Sequence, residues 1–267
     1  MTIKELISTN INKGFKLRDA QNLAAEEIII RKIASSEMAE HITLKGGIVM
    51  YNLTKNSRRV TQDIDFDLIR YSIDEESIRL LISKMNRVDD DFALSISGKI
   101  ESLKQKDYQG VRIHIVIKDR NNYSLKTKLD IGVHTYSAIE QNAILFDFGS
   151  NDKGITIKAN PPEQIFSEKL ISLARLGVIS TRYKDIYDFY YLIKECRISS
   201  NKVRDILAMF LNNSNRKPNS MLELQTAIED TLNNQRYIKE ASKPASKWID
   251  EDFDVIRKTI IDFVNKL

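Results

Sequence analysis

The sequence predicts an α+β protein made of a mixed β-sheet flanked by helices over residues 1–158 and an all-helical domain over residues 159–267, with the join near residues 149–160. Two observations support this prediction. Polar and apolar residues alternate in several segments before Val133, which is typical of strands. After Pro161 nearly every apolar residue recurs at spacings of three and four, which is typical of helices.

The N-terminal domain begins with a helix, because Thr2 and Glu5 have the spacing of a capping box. Further along, helical and alternating patterns succeed one another, as a mixed sheet with flanking helices requires. The elements predicted after this first helix are helices over residues 17–35, 48–53 and 73–88, and strands over residues 41–44, 63–68, 92–100, 111–118 and 124–133.

The C-terminal domain begins at Asn160, which is followed by two prolines and Glu163. Asparagine can cap a helix, proline suits its first turn, and a glutamate three residues after the cap completes a capping box. The helices predicted from here on cover residues 163–176, 183–195, 202–211, 220–233 and 250–264.

Composition bounds the class of protein. With 42% hydrophobic and 29% charged residues, the chain is typical of a globular protein, and no apolar run approaches the roughly 20 residues that a membrane span needs. A single cysteine, Cys196, and a polar N-terminus without a signal pattern predict a cytoplasmic protein without a membrane partner. The net charge of +4 is compatible with nucleic acid or nucleotide phosphates.

Four aspartates are the candidates for chemistry. Asp63, Asp65 and Asp67 alternate with apolar residues, so they share one face of a strand, and Asp130 lies on the polar face of another strand. Carboxylates this close repel one another unless a cation lies between them, and Mg²⁺ prefers such oxygen ligands. If the two strands pair, we expect Asp63, Asp65 and Asp130 to form a two-metal site, with Asp67 as a solvated surface residue.

A glycine pair precedes these aspartates. Gly46 and Gly47 lie where a predicted strand gives way to a helix, and backbone N–H groups at such a turn can approach a phosphate closely. Arg59 and Thr61, just before the aspartates, are either phosphate contacts or ordinary loop residues. A glycine pair alone is as readily explained by a tight turn.

The combined pattern is more specific. Lys45-Gly46-Gly47 followed by Arg59-x-Thr61-x-Asp63-Ile64-Asp65-Phe66 resembles the signature of the nucleotidyltransferase superfamily, and in particular the AbiEii/AbiGii toxins of abortive-infection and type IV toxin–antitoxin systems. Glu168-Lys169-Leu170, the run from Arg182 to Leu192, and Asp130 in KLDIGV are similar to the later motifs of that family. In one departure, Ile48 stands where the superfamily usually has Ser or Thr.

The resemblance implies a nucleotidyltransferase-like N-terminal domain and a set of roles. Mg²⁺ or Mn²⁺ would be held by Asp63, Asp65 and Asp130. The nucleoside triphosphate (NTP) would be bound by residues of the glycine turn, of the segment just before the aspartates and of the first helical motif. These residues are Lys45, Gly46, Gly47, Arg59, Thr61 and Lys169. Lys169 and Asp185 would join the three aspartates as catalytic residues, although by pattern alone Lys169 is a surface lysine and Asp185 a favourable charge in the first turn of a helix.

Three functions follow as hypotheses. The first, implied by the resemblance, is a toxin that transfers a nucleoside monophosphate from an NTP to RNA, with tRNA as the favoured acceptor, releases pyrophosphate and is neutralised by a cognate antitoxin encoded nearby. The second is a nucleotidyltransferase that modifies a small molecule such as an antibiotic. The third, which Ile48 keeps open, is a non-catalytic binding module on the same fold.

Overall fold

The computed structural model describes residues 1–103, 110–148, 154–213 and 216–267, and over these ranges the chain forms ten α-helices and seven β-strands. The helices are α1 Ile3–Asn12, α2 Leu17–Ser35, α3 Gly47–Thr54, α4 Glu75–Met85, α5 Pro162–Leu176, α6 Lys184–Lys194, α7 Ser200–Asn212, α8 Met221–Asn233, α9 Gln235–Ala241 and α10 Phe253–Val264. The strands are β1 Ile42–Lys45, β2 Ile64–Leu68, β3 Phe92–Ser102, β4 Gly110–Asp119, β5 Ser124–Val133, β6 Asn142–Phe146 and β7 Ile155–Ala159.

Chain contacts divide the protein into two units, Met1–Asn160 and Pro161–Leu267. All seven strands described belong to the first unit, and the second is helical throughout its described residues. Residues 149–153 of the predicted join lie outside the described residues. None of the helices in the described ranges is long and apolar enough to cross a membrane.

The sheet of the first unit has the strand order β3-β4-β5-β2-β1-β7-β6. It is mixed, because β2 pairs in parallel with β5 and β1 in parallel with β7, whereas the other four pairings are antiparallel. The two central strands, β1 and β2, carry the glycine turn and the aspartates. This arrangement confirms the predicted α+β class.

The core of the first unit lies between the sheet and the helices α2 and α4, with α1 packed against α2. Strands β4 and β5 each send alternate apolar side chains into it, as their sequence pattern predicts. The fully buried members from these two strands are Ile113, Ile115, Ile117, Leu129 and Ile131. The remaining alternate residues of β4 and β5 therefore form the opposite, outward face of the sheet.

The second unit is built around α5 and α6, on which the later motifs lie. Phe166 of α5 packs edge to face against Phe189 of α6 and Phe263 of α10, with ring centroids 5.0 Å and 5.2 Å apart. Asp188 and Lys169, although charged, are part of the same buried region.

Candidate active site

One row of charged side chains crosses four neighbouring strands of the first unit. Lys45 of β1 is paired with Asp65 of β2, Asp65 with Asp130 of β5, and Asp130 with Arg112 of β4. Directly paired residues on adjacent strands point to the same face of a sheet, and adjacent strands lie about 4.8 Å apart. Asp65 and Asp130 are therefore immediate neighbours on the outward face.

Two basic residues neutralise two of the predicted site aspartates. Arg112 binds Asp130 through both carboxylate oxygens, with Nε–Oδ1 at 2.7 Å and Nη2–Oδ2 at 2.9 Å. This bond to Asp130 is the main reason why the pKa of Arg112 is raised. Lys128 places its Nζ 2.7 Å from Oδ1 of Asp63, which lies one residue before β2. The repulsion expected among these carboxylates is thus reduced by cations from the same sheet.

Asp67 was predicted to be a solvated surface residue, and this prediction is wrong. Its side chain is buried, with 3% of the residue exposed, and it forms an ion pair with the buried ammonium group of Lys45. A buried carboxylate needs such a partner because the loss of its hydration is costly. The alternating pattern identified the face of Asp67 correctly, but it could not reveal that this end of the face is covered.

The glycine turn lies against the aspartates. Gly46 precedes α3 with φ 67° and ψ −139°, a conformation that L residues rarely adopt. A Cβ atom on Gly46 would lie 2.8 Å from Oδ2 of Asp65, and one on Gly47 would lie 2.6 Å from Oγ1 of Thr61. Side chains at these two positions would thus occupy the space taken by Asp65 and Thr61.

The position after the glycines does not face this site. Ile48 is 1% exposed and lines a small cavity on the core side with Glu26 and Tyr51. The hydroxyl group beside the glycine pair is instead that of Thr61. Arg59, two residues earlier, is buried and lies close enough to Glu26 to lower the pKa of that carboxyl group, against a larger rise caused by burial.

The donor set can be tested against the divalent cation that the resemblance implies. Among the described residues, no three His, Cys, Asp or Glu side chains come together in a group that could hold a metal ion. Asp65 and Asp130 nevertheless offer paired carboxylates at one point of the sheet, and Mg²⁺ is typically held by one or two carboxylates plus substrate phosphates. The residues therefore fit a cation that arrives with the nucleotide better than one held by the protein alone.

The second unit contains a separate charged cluster on α5 and α6. The ammonium group of Lys169 forms ion pairs with Asp185 and, at 3.0 Å, with Oδ2 of Asp188. Lys169 is only 9% exposed and Asp188 is fully buried, so the interpretation of Lys169 as a surface lysine is wrong. One ammonium group is thus shared by two carboxylates in the interior of the helical unit.

Sequence reasoning missed three residues of these two clusters. The contacts of Arg112 with Asp130 and of Lys128 with Asp63 become visible only when the pairing of β4, β5 and β2 is known, because the members of each pair come from different segments of the chain. Asp188 lies three residues after Asp185 on one helix, and this spacing was a signal that both could contact the same cation.

Comparisons with known proteins find a matching family and a similar fold. The family model for the nucleotidyl transferase AbiEii toxin of type IV toxin–antitoxin systems matches residues 28–261. The nucleotidyltransferase toxin MenT4 from Mycobacterium tuberculosis H37Rv has a similar fold, with a TM-score of 0.65 and 12% identity over 100% of this chain and 90% of that one. No curated protein matches the sequence.

A second solved structure is more distant. It is an antigenic nucleotidyltransferase-like protein from Paracoccidioides brasiliensis, 17% identical, and the match covers 79% of this chain and 90% of that one. Its TM-score of 0.37 is too low to support an argument. The likeness to MenT4, by contrast, supports the fold of the whole chain.

Proposed function

The chain belongs to the family of AbiEii nucleotidyltransferase toxins of type IV toxin–antitoxin systems, and from this premise we propose that it transfers a nucleoside monophosphate from an NTP to a hydroxyl group of RNA, with tRNA as the favoured acceptor. The observation that carries the proposal is the pairing of Asp65 with Asp130 on the face that the glycine turn approaches. Nucleotidyl transfer needs carboxylates beside a phosphate-binding turn, and these residues provide both.

In this reaction a hydroxyl oxygen of the acceptor forms a bond to the α-phosphorus of the NTP. The bond between that phosphorus and the oxygen bridging to the β-phosphate breaks, and pyrophosphate leaves with the electron pair. The proton of the hydroxyl group passes to a carboxylate oxygen of Asp130, which Arg112 holds in a fixed orientation through two hydrogen bonds.

Asp65 and Asp130 are the residues that would hold Mg²⁺ or Mn²⁺ together with the nucleotide phosphates, and Asp63 would join them once it is released from Lys128. When bound, the cation neutralises charge on the triphosphate and on the departing pyrophosphate. Lys128 and Arg112 form ion pairs with Asp63 and Asp130. Because two of the three carboxylates already have cationic partners, we expect the protein to bind Mn²⁺ weakly by itself and more tightly with nucleotide.

The glycine turn would bind the phosphates. The N–H groups of the first turn of α3 have no helical partner, and the helix dipole adds a partial positive charge there. The hydroxyl group of Thr61 would donate a hydrogen bond to a phosphate oxygen. It would replace the hydroxyl group of the Ser or Thr that the superfamily usually has at the position of Ile48. Arg59 would add positive charge, and Lys45 would hold the row of charges in register through its ion pair with Asp67.

We assign Lys169 and Asp185 catalytic roles on the basis of the family motif and of their burial. The ammonium group of Lys169 lies between two carboxylates in a poorly hydrated place, where it would bind a phosphate strongly once one carboxylate is displaced. Asp185 would position Lys169 or a polar group of the nucleotide. The family also implies a cognate antitoxin as partner, and we propose the cytoplasm, where NTPs and tRNA are found, as the site of action.

The direct test is to incubate the purified chain with each of the four α-³²P-labelled NTPs, total RNA and Mg²⁺, with a parallel reaction in EDTA. We expect label on RNA of tRNA size with at least one NTP, and none in EDTA. Label on a small molecule instead of RNA would identify the acceptor as small, and nucleotide binding without transfer to any acceptor would identify a binding module.

A further inference from the structure

The outward face of β4 and β5 continues beyond the row of aspartates as a strip of basic residues. Lys128 is two residues from Asp130 on β5, and Lys126 is four, which places Lys126 about 13 Å from Asp130 along the strand. On β4, Lys118 is paired with Ser124, which is six residues, or about 20 Å, from Asp130. We call Arg112, Lys128, Lys126 and Lys118 the basic strip.

The basic strip has two parts with different partners. Arg112 and Lys128, beside the candidate active site, form ion pairs with Asp130 and Asp63. Lys126 and Lys118 are exposed, and no ion pair of either is present among the described residues. The charge of the first two is compensated within the sheet, whereas the charge of the second two is directed to solvent.

The rest of this face offers little negative charge to offset Lys126 and Lys118. In β3, the residues paired with the outward positions of β4 are Ala93 opposite Lys118, Ser95 opposite Val116, Ser97 opposite His114 and Glu101 opposite Arg112. Glu101, the acidic residue of β3, lies 3.5 Å from His114, nearer to Arg112 than to the outer lysines. A positive region about two strands wide thus leads away from the carboxylates.

We propose that the basic strip binds the sugar–phosphate backbone of the acceptor RNA while the reacting hydroxyl group lies beside Asp130. The identity of the acceptor rests on the proposed function. The carboxylates of the active site repel a polyanion, so an RNA acceptor needs compensating cations close by, and the strip supplies them from the same strand as Asp130. An acidic face of an antitoxin would also be attracted, but only the acceptor must reach both the strip and the carboxylates.

The test compares a double variant, Lys118→Ala/Lys126→Ala, with a matched control, Lys4→Ala/Lys16→Ala. The control removes two exposed lysines, Lys4 of α1 and Lys16 just before α2; α2 packs against β5 and β7, and α1 packs against α2. Binding of a fluorescein-labelled tRNA pool is measured by fluorescence anisotropy at several salt concentrations. Thermal melting of both variants verifies folding.

We expect the strip variant to bind RNA about tenfold more weakly at low salt. The plot of log K against log salt should become less steep by between about 1 and 2, since two phosphate contacts are lost. The KM for RNA should rise while the affinity for NTP stays unchanged. The control should resemble the unmodified protein.

Equal RNA affinity and equal salt slope for both variants would overturn the inference, even if the protein labels RNA. Unchanged RNA binding together with weaker binding of purified antitoxin would overturn it in favour of a protein interface. Loss of RNA binding in a protein that labels no RNA would support the strip and contradict the proposed reaction, so the two failures are distinguishable.

Discussion

Buried Asp67 and Asp130 of the first unit each have a cation from a neighbouring strand, whereas buried Asp185 and Asp188 of the second unit share the ammonium group of Lys169. In the sheet, register brings one basic residue to each acid, so each pair can be broken separately. In the helical unit, removal of Lys169 abolishes the ion pairs of two buried carboxylates at once. We therefore expect the loss of Lys169 to have a larger effect than the loss of either single ion pair in the sheet.

Outside the pair Asp65 and Asp130, the largest effect on transfer should follow from Lys169→Met. We expect transfer to fall by roughly 100-fold or more, because under the proposed function the variant lacks the buried cation that would stabilise phosphate charge. A matched control is Lys32→Met, since Lys32 is a buried lysine too and its Nζ lies 2.7 Å from Oδ1 of Asp90. Both variants should be less stable, but at a temperature where both are folded only Lys169→Met should be inactive. Equal activity of the two would refute the role of Lys169.

A large effect on stability should follow from Lys45→Met, which leaves Asp67 buried without its cation. We expect a loss of about 3–5 kcal/mol in the free energy of unfolding, measured by urea denaturation. Asp67→Asn in the same chain removes the uncompensated charge and should restore a substantial part of that loss. If the second change gives no recovery, the buried pair is not the reason for the instability.

An intermediate effect should follow from Gly46→Ala. Gly46 and Gly98 both have positive φ, 67° and 79°, so alanine at either position should cost about 1–2 kcal/mol of strain. Only at Gly46 does the new Cβ meet a side chain, Oδ2 of Asp65, since nothing lies within 4 Å at Gly98. Gly46→Ala should therefore lower transfer by about 100-fold through displacement of Asp65, whereas Gly98→Ala should leave it unchanged.

The smallest effect concerns Glu26 on the core side of the sheet. Burial raises the pKa of this carboxyl group well above 4.5, against a smaller lowering by Arg59, and its Oε1 has no hydrogen-bond partner among the described residues. Above pH 4.5 the folded state then holds a proton that the unfolded state has released, so stability falls as pH rises toward the folded pKa. Glu26→Gln should remove this slope.

Urea unfolding of both proteins between pH 5 and pH 8, followed by circular dichroism, measures this difference. A wild-type slope that persists unchanged in Glu26→Gln would assign the pH dependence to another group. The single tryptophan, Trp248, reports on the second unit and is therefore not a suitable probe here.

Most of the fold could be predicted from the sequence, because long periodic segments have one dominant interpretation. The helix Leu17–Ser35 and the strand Ser124–Val133 have the predicted limits. Three short elements were missed, namely β6, β7 and α9, of five, five and seven residues. Segments of this length contain too few residues to establish a period, and their structure depends on pairing or packing with distant parts of the chain.

The candidate site was predictable only in part. The spacing of Asp63, Asp65 and Asp67 identified a shared face, and the polar face of β5 identified Asp130. The basic residues that pair with these aspartates come from other strands, so the pairs could not be deduced from local spacing. The same holds for the burial of Asp67, which accompanies its ion pair with Lys45. Roles of Lys169 and Asp185 rest on the resemblance, since helical spacing alone favoured a surface position.

The central claim is that the paired carboxylates beneath the glycine turn carry nucleotidyl transfer, and Asp65→Asn tests it most directly. This change keeps the shape of the side chain and removes its charge, and Asp89→Asn makes the same change at an exposed position of the same unit. Transfer of label from α-³²P-NTP to RNA should fall by about 1,000-fold or more in Asp65→Asn, with melting temperature and RNA binding preserved, and should be normal in Asp89→Asn. Transfer at the wild-type rate by folded Asp65→Asn would contradict the assignment of the active site.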